Sequence, residues 1–304
     1  MNATTMEGSR LAGRVAVVTG TGGLGLETAT ALALQGAEVI LAGRNPQKGA
    51  EAVDRIKNAW FGANASFRPL DLASLTSVAD FAERLQADVG QVDLLVNNAG
   101  IMSPPRRMTT ADGFELQFGV NYLGHFALTA RLLPLLRRSA APRVVSVTSL
   151  AHRYATMNFD DPQSERRYQA GRAYCQSKLA QALFAVELQR RSEAAGWGLA
   201  SLAAHPGYAG TDLFQNGAGA LSLSNLLSRY VVIPLIGQSA EAGALPILFA
   251  ATSKSAAGGE LYGPTGFMSM KGPPGRNAFA AAAKDPQSAS RLWALSEDLA
   301  QVRL

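Results

Sequence analysis

Cysteine is nearly absent from this sequence, because Cys175 is the single one among 304 residues. One cysteine cannot form an internal disulfide, and such rarity is typical of proteins of the reducing cytoplasm. Cys175 could be a reactive thiol, although a packing position on a helix is the more ordinary interpretation. The cysteine content therefore excludes a disulfide framework and predicts a cytoplasmic location.

Long apolar runs are missing as well. The N-terminus, MNATTMEGSRLAG, lacks the apolar segment of a secretory signal. No run approaches the roughly 18 apolar residues that cross a bilayer, and the most apolar late stretch, 230–237, is short and contains Pro234. We therefore expect neither a secretory signal nor an integral membrane segment.

Runs of basic charge and metal-ligand patterns are missing too. The formal net charge is +5, but Lys and Arg are scattered, and the longest basic clusters are pairs such as 137–138 and 190–191. Nucleic-acid binding would require a basic stripe or a recognisable module. His125, His152 and His205 have no ligand spacing, so we interpret them as structural or pocket residues. We expect no nucleic-acid partner and no metal, whereas the mild basicity suits a phosphorylated cofactor.

The sequence does contain a regular alternation of apolar strands and helices. Its length allows one large α/β domain or two small ones, and its 47% apolar and 17% charged residues are those of an ordinary globular protein. Predicted strands 14–19, 38–43, 66–70, 92–96, 143–147 and 199–204 alternate with predicted helices 26–35, 47–59, 74–89, 110–138 and one that carries Tyr174 and ends near Arg191. This alternation predicts a single doubly wound, Rossmann-type parallel sheet with helices on both faces.

A glycine cluster separates the first predicted strand from the first predicted helix. It contains Gly20, Gly22, Gly23 and Gly25, with Leu24 between the last two. In this context glycines let the backbone approach a pyrophosphate, which binds at the positive N-terminal end of the helix. Glycine-rich turns also occur for other reasons, so the cluster alone is a weak indication of dinucleotide binding.

The residue after the second predicted strand bears on the choice of cofactor. NAD-selective sites carry an acidic residue here that binds the ribose 2′-hydroxyl, whereas this chain has Arg44 and no acid. A guanidinium suits a 2′-phosphate through its charge and its donors, although a solvated loop arginine is the alternative. We therefore predict NADP as the cofactor, with NAD as the alternative.

Tyr174 and Lys178 stand four residues apart on a predicted helix, so both side chains leave the same face. A phenol ordinarily titrates near pH 10. An ammonium beside it favours the phenolate and lowers that pKa, which would make the phenol a useful acid or base at neutral pH. The alternative is two unrelated residues on a solvated helix, and the spacing by itself does not exclude it.

Several further motifs together resemble the short-chain dehydrogenase/reductase family, over about residues 12–265. They are VVTGTGGLG at 17–25, LDLAS at 70–74, NNAG at 97–100, Asn121, VSVTS at 145–149, Tyr174 with Lys178, and HPGYAGT at 205–211. Within the family, AGRN, SLAHR, AYCQSKLAQ and the 25-residue spacing from Ser149 to Tyr174 resemble the retinol-dehydrogenase-like branch.

The resemblance implies a catalytic tetrad of Asn121, Ser149, Tyr174 and Lys178. In that family Tyr174 would be the general acid and base, and Lys178 would lower its pKa and bind the nicotinamide ribose. Ser149 would hold the substrate oxygen as charge develops on it. Asn121 would orient a water molecule in a proton relay. Hydride transfer itself belongs to the nicotinamide.

The same resemblance implies the remaining cofactor contacts. Asp71, with Leu72 beside it, would meet the adenine. Asn97, Ala99 and Gly100 would line the adenosine side. Residues Pro206, Gly207 and Thr211 would pass under the nicotinamide amide.

One motif departs from the family pattern. The usual turn reads Thr-Gly-x-x-x-Gly-x-Gly, but here only two residues separate Gly20 from Gly23, so the turn is one residue short. It still matches Gly-x-Gly-x-x-Gly through Gly20, Gly22 and Gly25. Phosphate binding is therefore still expected, whereas the affinity and the placing of the adenosine are open.

The domain boundaries follow from these motifs. We expect a tail at 1–12, a dinucleotide-binding catalytic domain at 13–265 and a C-terminal extension at 266–304 packed on the same domain. Segment 212–237 is rich in leucine and could be a lid over a hydrophobic substrate. A helix packed on the core or on another subunit is the alternative. By the resemblance, we expect a homodimer or homotetramer.

Two functions from different classes follow from the sequence. The first is an NADP(H)-dependent oxidoreductase that interconverts a hydrophobic secondary alcohol and ketone, or an alcohol and aldehyde. The second is an NADP(H)-sensing binding protein on the same scaffold with little turnover. The complete tetrad favours the enzyme, and the short glycine turn is the one point for the sensor.

Overall fold

One eight-stranded sheet organises the described residues, 11–208 and 238–304 of this computed structural model. The strands are β1 (Val15–Thr19), β2 (Glu38–Gly43), β3 (Ala65–Pro69), β4 (Leu94–Asn97), β5 (Arg143–Val147), β6 (Ala200–Ala204), β7 (Leu261–Pro264) and β8 (Pro274–Asn277). Their order is β3-β2-β1-β4-β5-β6-β7-β8, and neighbours are parallel except for the antiparallel pair β7 and β8. The predicted doubly wound sheet is confirmed. Thr211, the expected lid at 212–237 and almost all of the expected tail lie outside the described residues.

Helices cover both faces of the sheet, as predicted. They are α1 (Gly23–Leu34), α2 (Pro46–Ala59), α3 (Leu75–Asp88), α4 (Gly124–Leu136), α5 (Ala170–Ala195), α6 (Ala240–Thr252) and α7 (Pro286–Ala300). Side chains of a strand alternate between the two faces, so Val17 belongs to one apolar core while Ala16 and Val18 belong to the other. The first core is filled from α3, α4, α5 and α7, and the second from α1, α2 and α6. None of the helices described is long and apolar enough to cross a membrane.

The register of the strands brings their carboxyl ends to one edge. Thr19 pairs with Ala42 and Asn97 with Ser146, and Val147 pairs with Ala204. The chain winds in opposite directions from β1 and β4, which are neighbours, so a crevice opens between their ends. Ligands of doubly wound sheets bind at such a switch point. This edge is therefore where the predicted site residues gather.

The long helix predicted over 110–138 is wrong at its start. Residues 109 and 115 instead close an antiparallel bridge, and Gly113 within it has φ +88°. The helical run begins with Leu116 and Gln117 and passes through a π-helix, Phe118–Leu123, which continues into α4. The buried carboxylate of Glu115 accepts the amide hydrogens of Gln117 and Phe118. This carboxylate caps the helix and determines where it begins.

Helix α7 lies in the C-terminal extension and buries Leu292 and Trp293. The indole stacks on Phe184 of α5 at 5.8 Å between ring centroids and meets Phe126 edge-on at 5.2 Å. The Arg191 guanidinium lies 4.3 Å from the indole centroid. Strands β7 and β8 were not predicted, because their short sequences, LYGP and PGRN, carry no apolar alternation.

Removing the Trp293 side chain should destabilise the fold. We expect Trp293→Ala to lower the free energy of unfolding by about 3–5 kcal/mol, the usual range for a fully buried tryptophan. Trp60→Ala is the matched control, since Trp60 is 43% exposed. Urea unfolding followed by circular dichroism measures both. Equal losses in the two variants would contradict the packing role of α7.

Candidate active site

Ser149 and Tyr174 meet although 25 residues separate them in the chain. Ser149 follows β5 and begins a short 3-10 helix, Leu150–Tyr154, where its hydroxyl accepts the amide hydrogen of Ala151 at 3.2 Å. Tyr174 lies near the start of α5. The Ser149 hydroxyl lies close enough to the Tyr174 phenol to act on its pKa. Two hydroxyl groups are thus presented together at the carboxyl edge of the sheet.

Lys178 follows Tyr174 by one helical turn and is only 4% exposed. Its Nζ lies 5.7 Å from the centroid of the Tyr174 ring. The ammonium donates to the carbonyl oxygen of Val147 at 3.1 Å and to Oε1 of Gln181 at 2.8 Å. Sequence reasoning missed Gln181, although its position three residues after Lys178 puts it on the same helix face.

The pKa values of this pair differ from the sequence-based expectation. Burial raises the pKa of Tyr174 to about 12, against the opposing hydrogen bond from Ser149. Burial also lowers the pKa of Lys178 to about 7. The prediction that Lys178 pulls the phenol below its ordinary pKa is therefore wrong for this arrangement. Desolvation is the main cause of both shifts, and the ammonium gains no offsetting charge because both of its hydrogen-bond acceptors are uncharged.

Asn121 is fully buried in the π-helix, a rare form that recurs at functional sites. Its Oδ1 accepts the amide hydrogen of Ile101 at 2.8 Å, and its Nδ2 donates to the Ile101 carbonyl at 3.0 Å. Nδ2 also donates to the Ser177 hydroxyl at 2.9 Å, which in turn donates to the carbonyl of Tyr174. The side chain is therefore occupied by protein contacts. The water relay expected for Asn121 stays a prediction, and the main-chain carbonyl of Asn121 also lies 2.9 Å from Nδ1 of His125.

Gly100 is the point where the expected cofactor residues meet the tetrad. A Cβ at this position would lie 3.2 Å from Oδ1 of Asn121 and 3.7 Å from Nζ of Lys178. A larger residue would enter the space beside the ammonium. Ala99, just before it, donates its amide hydrogen to the Thr19 hydroxyl at 2.9 Å.

The glycine turn fits an anionic group. Gly20 has φ +97°, a conformation that side chains disfavour. Helix α1 begins at Gly23, earlier than the predicted residue 26, and the preceding Gly22 provides no side-chain cap. The first turn, which includes Leu24 and Gly25, contains no acid. The amide hydrogens of that turn and the positive end of the helix dipole therefore suit a pyrophosphate.

The expected adenosine-side residues divide into outward and inward side chains. Arg44 is exposed at the end of β2, with no ion-pair partner among the residues that the structure describes. Asp71 is partly exposed and accepts the amide hydrogen of Ala73 at 2.9 Å. Leu72 and Asn97 are buried, and Nδ2 of Asn97 donates to Thr129 at 3.0 Å. Of these four side chains, those of Arg44 and Asp71 are accessible to a cofactor at this edge.

Pro206 and Gly207 follow β6 at the same edge. Gly207 has φ +69°, and a Cβ there would lie 2.2 Å from the Met270 carbonyl oxygen. Gln238 donates to the Pro206 carbonyl, and Tyr208 donates its amide hydrogen to Met270. The turn is thus held against the loop between β7 and β8. Across the described ranges, no group of His, Cys, Asp and Glu could hold a metal ion.

Comparison with known sequences agrees with this geometry. A sequence model of short chain dehydrogenases matches residues 14–219. Human retinol dehydrogenase 13 is 40% identical over 291 residues, which cover 94% of this chain and 84% of that protein. Mouse polyprenol dehydrogenase is 44% identical over 246 residues, covering 79% and 72%.

Solved structures show the same fold. A crystal structure of an uncharacterized protein from Mycobacterium paratuberculosis has a TM-score of 0.79 and 40% identity, covering 96% of this chain and 95% of that chain. The Pseudomonas aeruginosa RhlG/NADP active-site complex has a TM-score of 0.65 and 26% identity, covering 83% and 94%.

The lowered pKa of Lys178 predicts how stability depends on pH. The unfolded chain keeps this lysine protonated from pH 7 to pH 10, whereas the folded protein releases the proton near pH 7. The free energy of unfolding should therefore rise across this range, and the rise should be smaller in Lys178→Met. Urea titrations at several pH values measure it. Parallel curves for the two proteins would show that Lys178 stays charged.

Proposed function

The chain belongs to the short-chain dehydrogenase family, and we propose that it is an NADP(H)-dependent oxidoreductase acting on a hydrophobic alcohol or the corresponding ketone or aldehyde. The observation that carries this proposal is the placing of the Tyr174 phenol beside the Ser149 hydroxyl and the buried Lys178. Two hydroxyls that converge on one point can both bond a carbonyl oxygen. Neither needs a metal ion to do so.

The chain's own residues supply the proton chemistry. With a pKa of about 12, Tyr174 is a neutral phenol at pH 7 and can donate its proton to a carbonyl oxygen. Ser149 would donate a hydrogen bond to the same oxygen as negative charge develops on it. The nicotinamide, when bound, supplies or accepts the hydride. Lys178 can then return a proton toward Tyr174, because a pKa of about 7 lets it exchange protons at neutral pH.

The choice of NADP(H) as the cofactor is based on residues at the carboxyl edge of the sheet. The uncapped first turn of α1 suits the pyrophosphate, and the exposed Arg44 suits a 2′-phosphate. The similar RhlG structure is a complex with NADP, which supports the same choice.

The substrate class rests on relatives and on exposed apolar side chains. Retinol dehydrogenase 13 and polyprenol dehydrogenase are both named for long, apolar alcohols. Phe267 and Met268 of this chain are 80% and 58% exposed on the loop that holds residues 206–208. Such side chains at the edge of the site would suit an apolar substrate. The leucine-rich segment 212–237 supports the same proposal by its composition.

The alternative is a binding protein that senses NADP(H) with little turnover. The short glycine turn favours it, and saturable cofactor binding without turnover of any apolar carbonyl would be its sign. The cytoplasmic location and the homodimer or homotetramer stay predictions.

Replacing the Tyr174 hydroxyl tests the catalytic assignment. We expect Tyr174→Phe to lower kcat by about 100-fold or more, since acid–base groups contribute roughly that much. NADPH binding should be retained, because the ring still packs. NADPH absorbance with a panel of apolar ketones and aldehydes measures turnover, and cofactor fluorescence measures binding.

Tyr154→Phe is the control for this change, since Tyr154 follows Ser149 closely but is 80% exposed. Its turnover should equal that of the natural protein. If Tyr174→Phe kept more than a tenth of the turnover, the assignment of Tyr174 would be wrong.

Replacing Arg44 tests the choice of cofactor. Losing a charge-assisted hydrogen bond costs about 1.5–3 kcal/mol, so Arg44→Ala should weaken NADPH binding by roughly 10- to 100-fold. NADH binding should change little. The control is Lys57→Ala, which removes an exposed cation at the other end of α2. Equal losses for both cofactors in the Arg44 variant would exclude it as the discriminating residue.

A further inference from the structure

His125 is buried on α4, one turn after Asn121, and both of its ring nitrogens are engaged. Nδ1 lies 2.9 Å from the main-chain carbonyl oxygen of Asn121. Nε2 lies 2.9 Å from the hydroxyl of Thr19, the last residue of β1. The imidazole therefore joins the end of β1 to the carbonyl of a tetrad residue.

Thr19 has little freedom in this contact. Its hydroxyl oxygen accepts the amide hydrogens of Asn98 and Ala99, each at 2.9 Å, and so uses both lone pairs. One proton is left to donate. The nearest acceptors are Nε2 of His125 at 2.9 Å and the Val96 carbonyl at 3.3 Å.

These partners determine the tautomer of His125. A carbonyl oxygen can only accept, so Nδ1 must carry the hydrogen. In a neutral imidazole Nε2 then accepts, and Thr19 donates to it. A protonated ring would require the Thr19 oxygen to accept a third hydrogen bond. Burial, together with the charge of Lys178, also lowers the pKa of His125 to about 4, despite its bond to Asn121.

We propose that His125 is a positioning residue. As the Nδ1–H tautomer, it holds the Asn121 carbonyl in a fixed position relative to the turn at residues 98–99. Through Thr19 that turn is part of the expected cofactor edge, and Ile101, two residues after it, donates its amide hydrogen to Oδ1 of Asn121 at 2.8 Å. A change at the cofactor edge would thus reach Asn121 through the imidazole. The kinetic consequence rests on the proposed function, whereas the tautomer does not.

Nuclear magnetic resonance of the natural protein tests the tautomer directly. The chain has three histidines, and their partners differ. Nδ1 of His152 faces the Ser149 carbonyl at 2.7 Å, which predicts Nδ1–H. Nδ1 of His205 accepts the amide hydrogen of Gly207 at 3.1 Å, which predicts Nε2–H. Ring nitrogen–carbon-proton correlations at neutral pH should therefore show two Nδ1–H rings and one Nε2–H ring. An Nε2–H pattern for His125 would overturn the proposal.

Two substitutions separate the two contacts. The amide nitrogen of asparagine takes the place of Nδ1, whereas the amide oxygen of glutamine takes the place of Nε2. His125→Asn should keep the hydrogen bond to the Asn121 carbonyl and lose the one to the Thr19 hydroxyl, which should weaken NADPH binding by roughly 10-fold. His125→Gln should keep Thr19 and release the carbonyl, which lowers kcat by roughly 10-fold with NADPH binding unchanged.

Kinetics and binding of the folded variants decide between positioning and packing. A residue with a purely structural role would lower the melting temperature in both variants and leave kcat and the NADPH dissociation constant of the folded protein unchanged. That outcome overturns the proposal. Thr19→Ser keeps the hydroxyl and should retain NADPH binding, in contrast to Thr19→Val. If no substrate is turned over, the tautomer and the binding constants still test His125, so failure of the proposed function is recognised separately.

Discussion

The parallel pairing of β1 with β4 is the constraint on which the site depends. It sets Val18 beside Val96 and so brings Thr19 to the same edge as residues 97–100. Where β4 ends, the amides of Asn98 and Ala99 need acceptors, and the Thr19 hydroxyl serves both. The backbone at residues 98–99, beside the crevice, is therefore held in place by the protein itself.

Burial sets the electrostatics of the tetrad. Lys178 is buried with neutral hydrogen-bond partners, so its pKa is lowered. Burial raises the pKa of the Tyr174 phenol. Proximity of the two side chains is not enough to reverse this, because desolvation acts on each group separately. An acid and a base with such values are ready to protonate an oxygen near neutral pH.

The sequence predicted those features that depend on local pattern. The first six strands and the Tyr174–Lys178 face follow from periodicity, because buried strands and helix faces have repeats that are visible in any short window. The start of the helix near Asn121 could not be found in this way, since the capping by Glu115 overrides the helical periodicity of the preceding residues. The roles of Gln181 and His125 also depend on contacts, and for His125 the partner is 106 positions away. In the sequence, His125 could be tested only for metal-ligand spacing, and such spacing does not show which ring nitrogen carries a proton.

The short glycine turn shows how the sheet also positions the first helix. Residues 20–22 alone connect β1 to α1. Asn98 donates through its Nδ2 to the Thr19 carbonyl at 2.8 Å, and a Cβ on Gly25 would lie 2.6 Å from that nitrogen. A Cβ on Gly20 would lie 3.0 Å from it. A Cβ on Gly25 would also lie 2.7 Å from the Gly20 carbonyl oxygen, and Gly20 has φ +97°, so the backbone itself favours glycine at both positions. The turn, although one residue shorter than the family pattern, therefore still packs Gly20 and Gly25 against the Asn98 side chain. The start of α1 stays at the crevice.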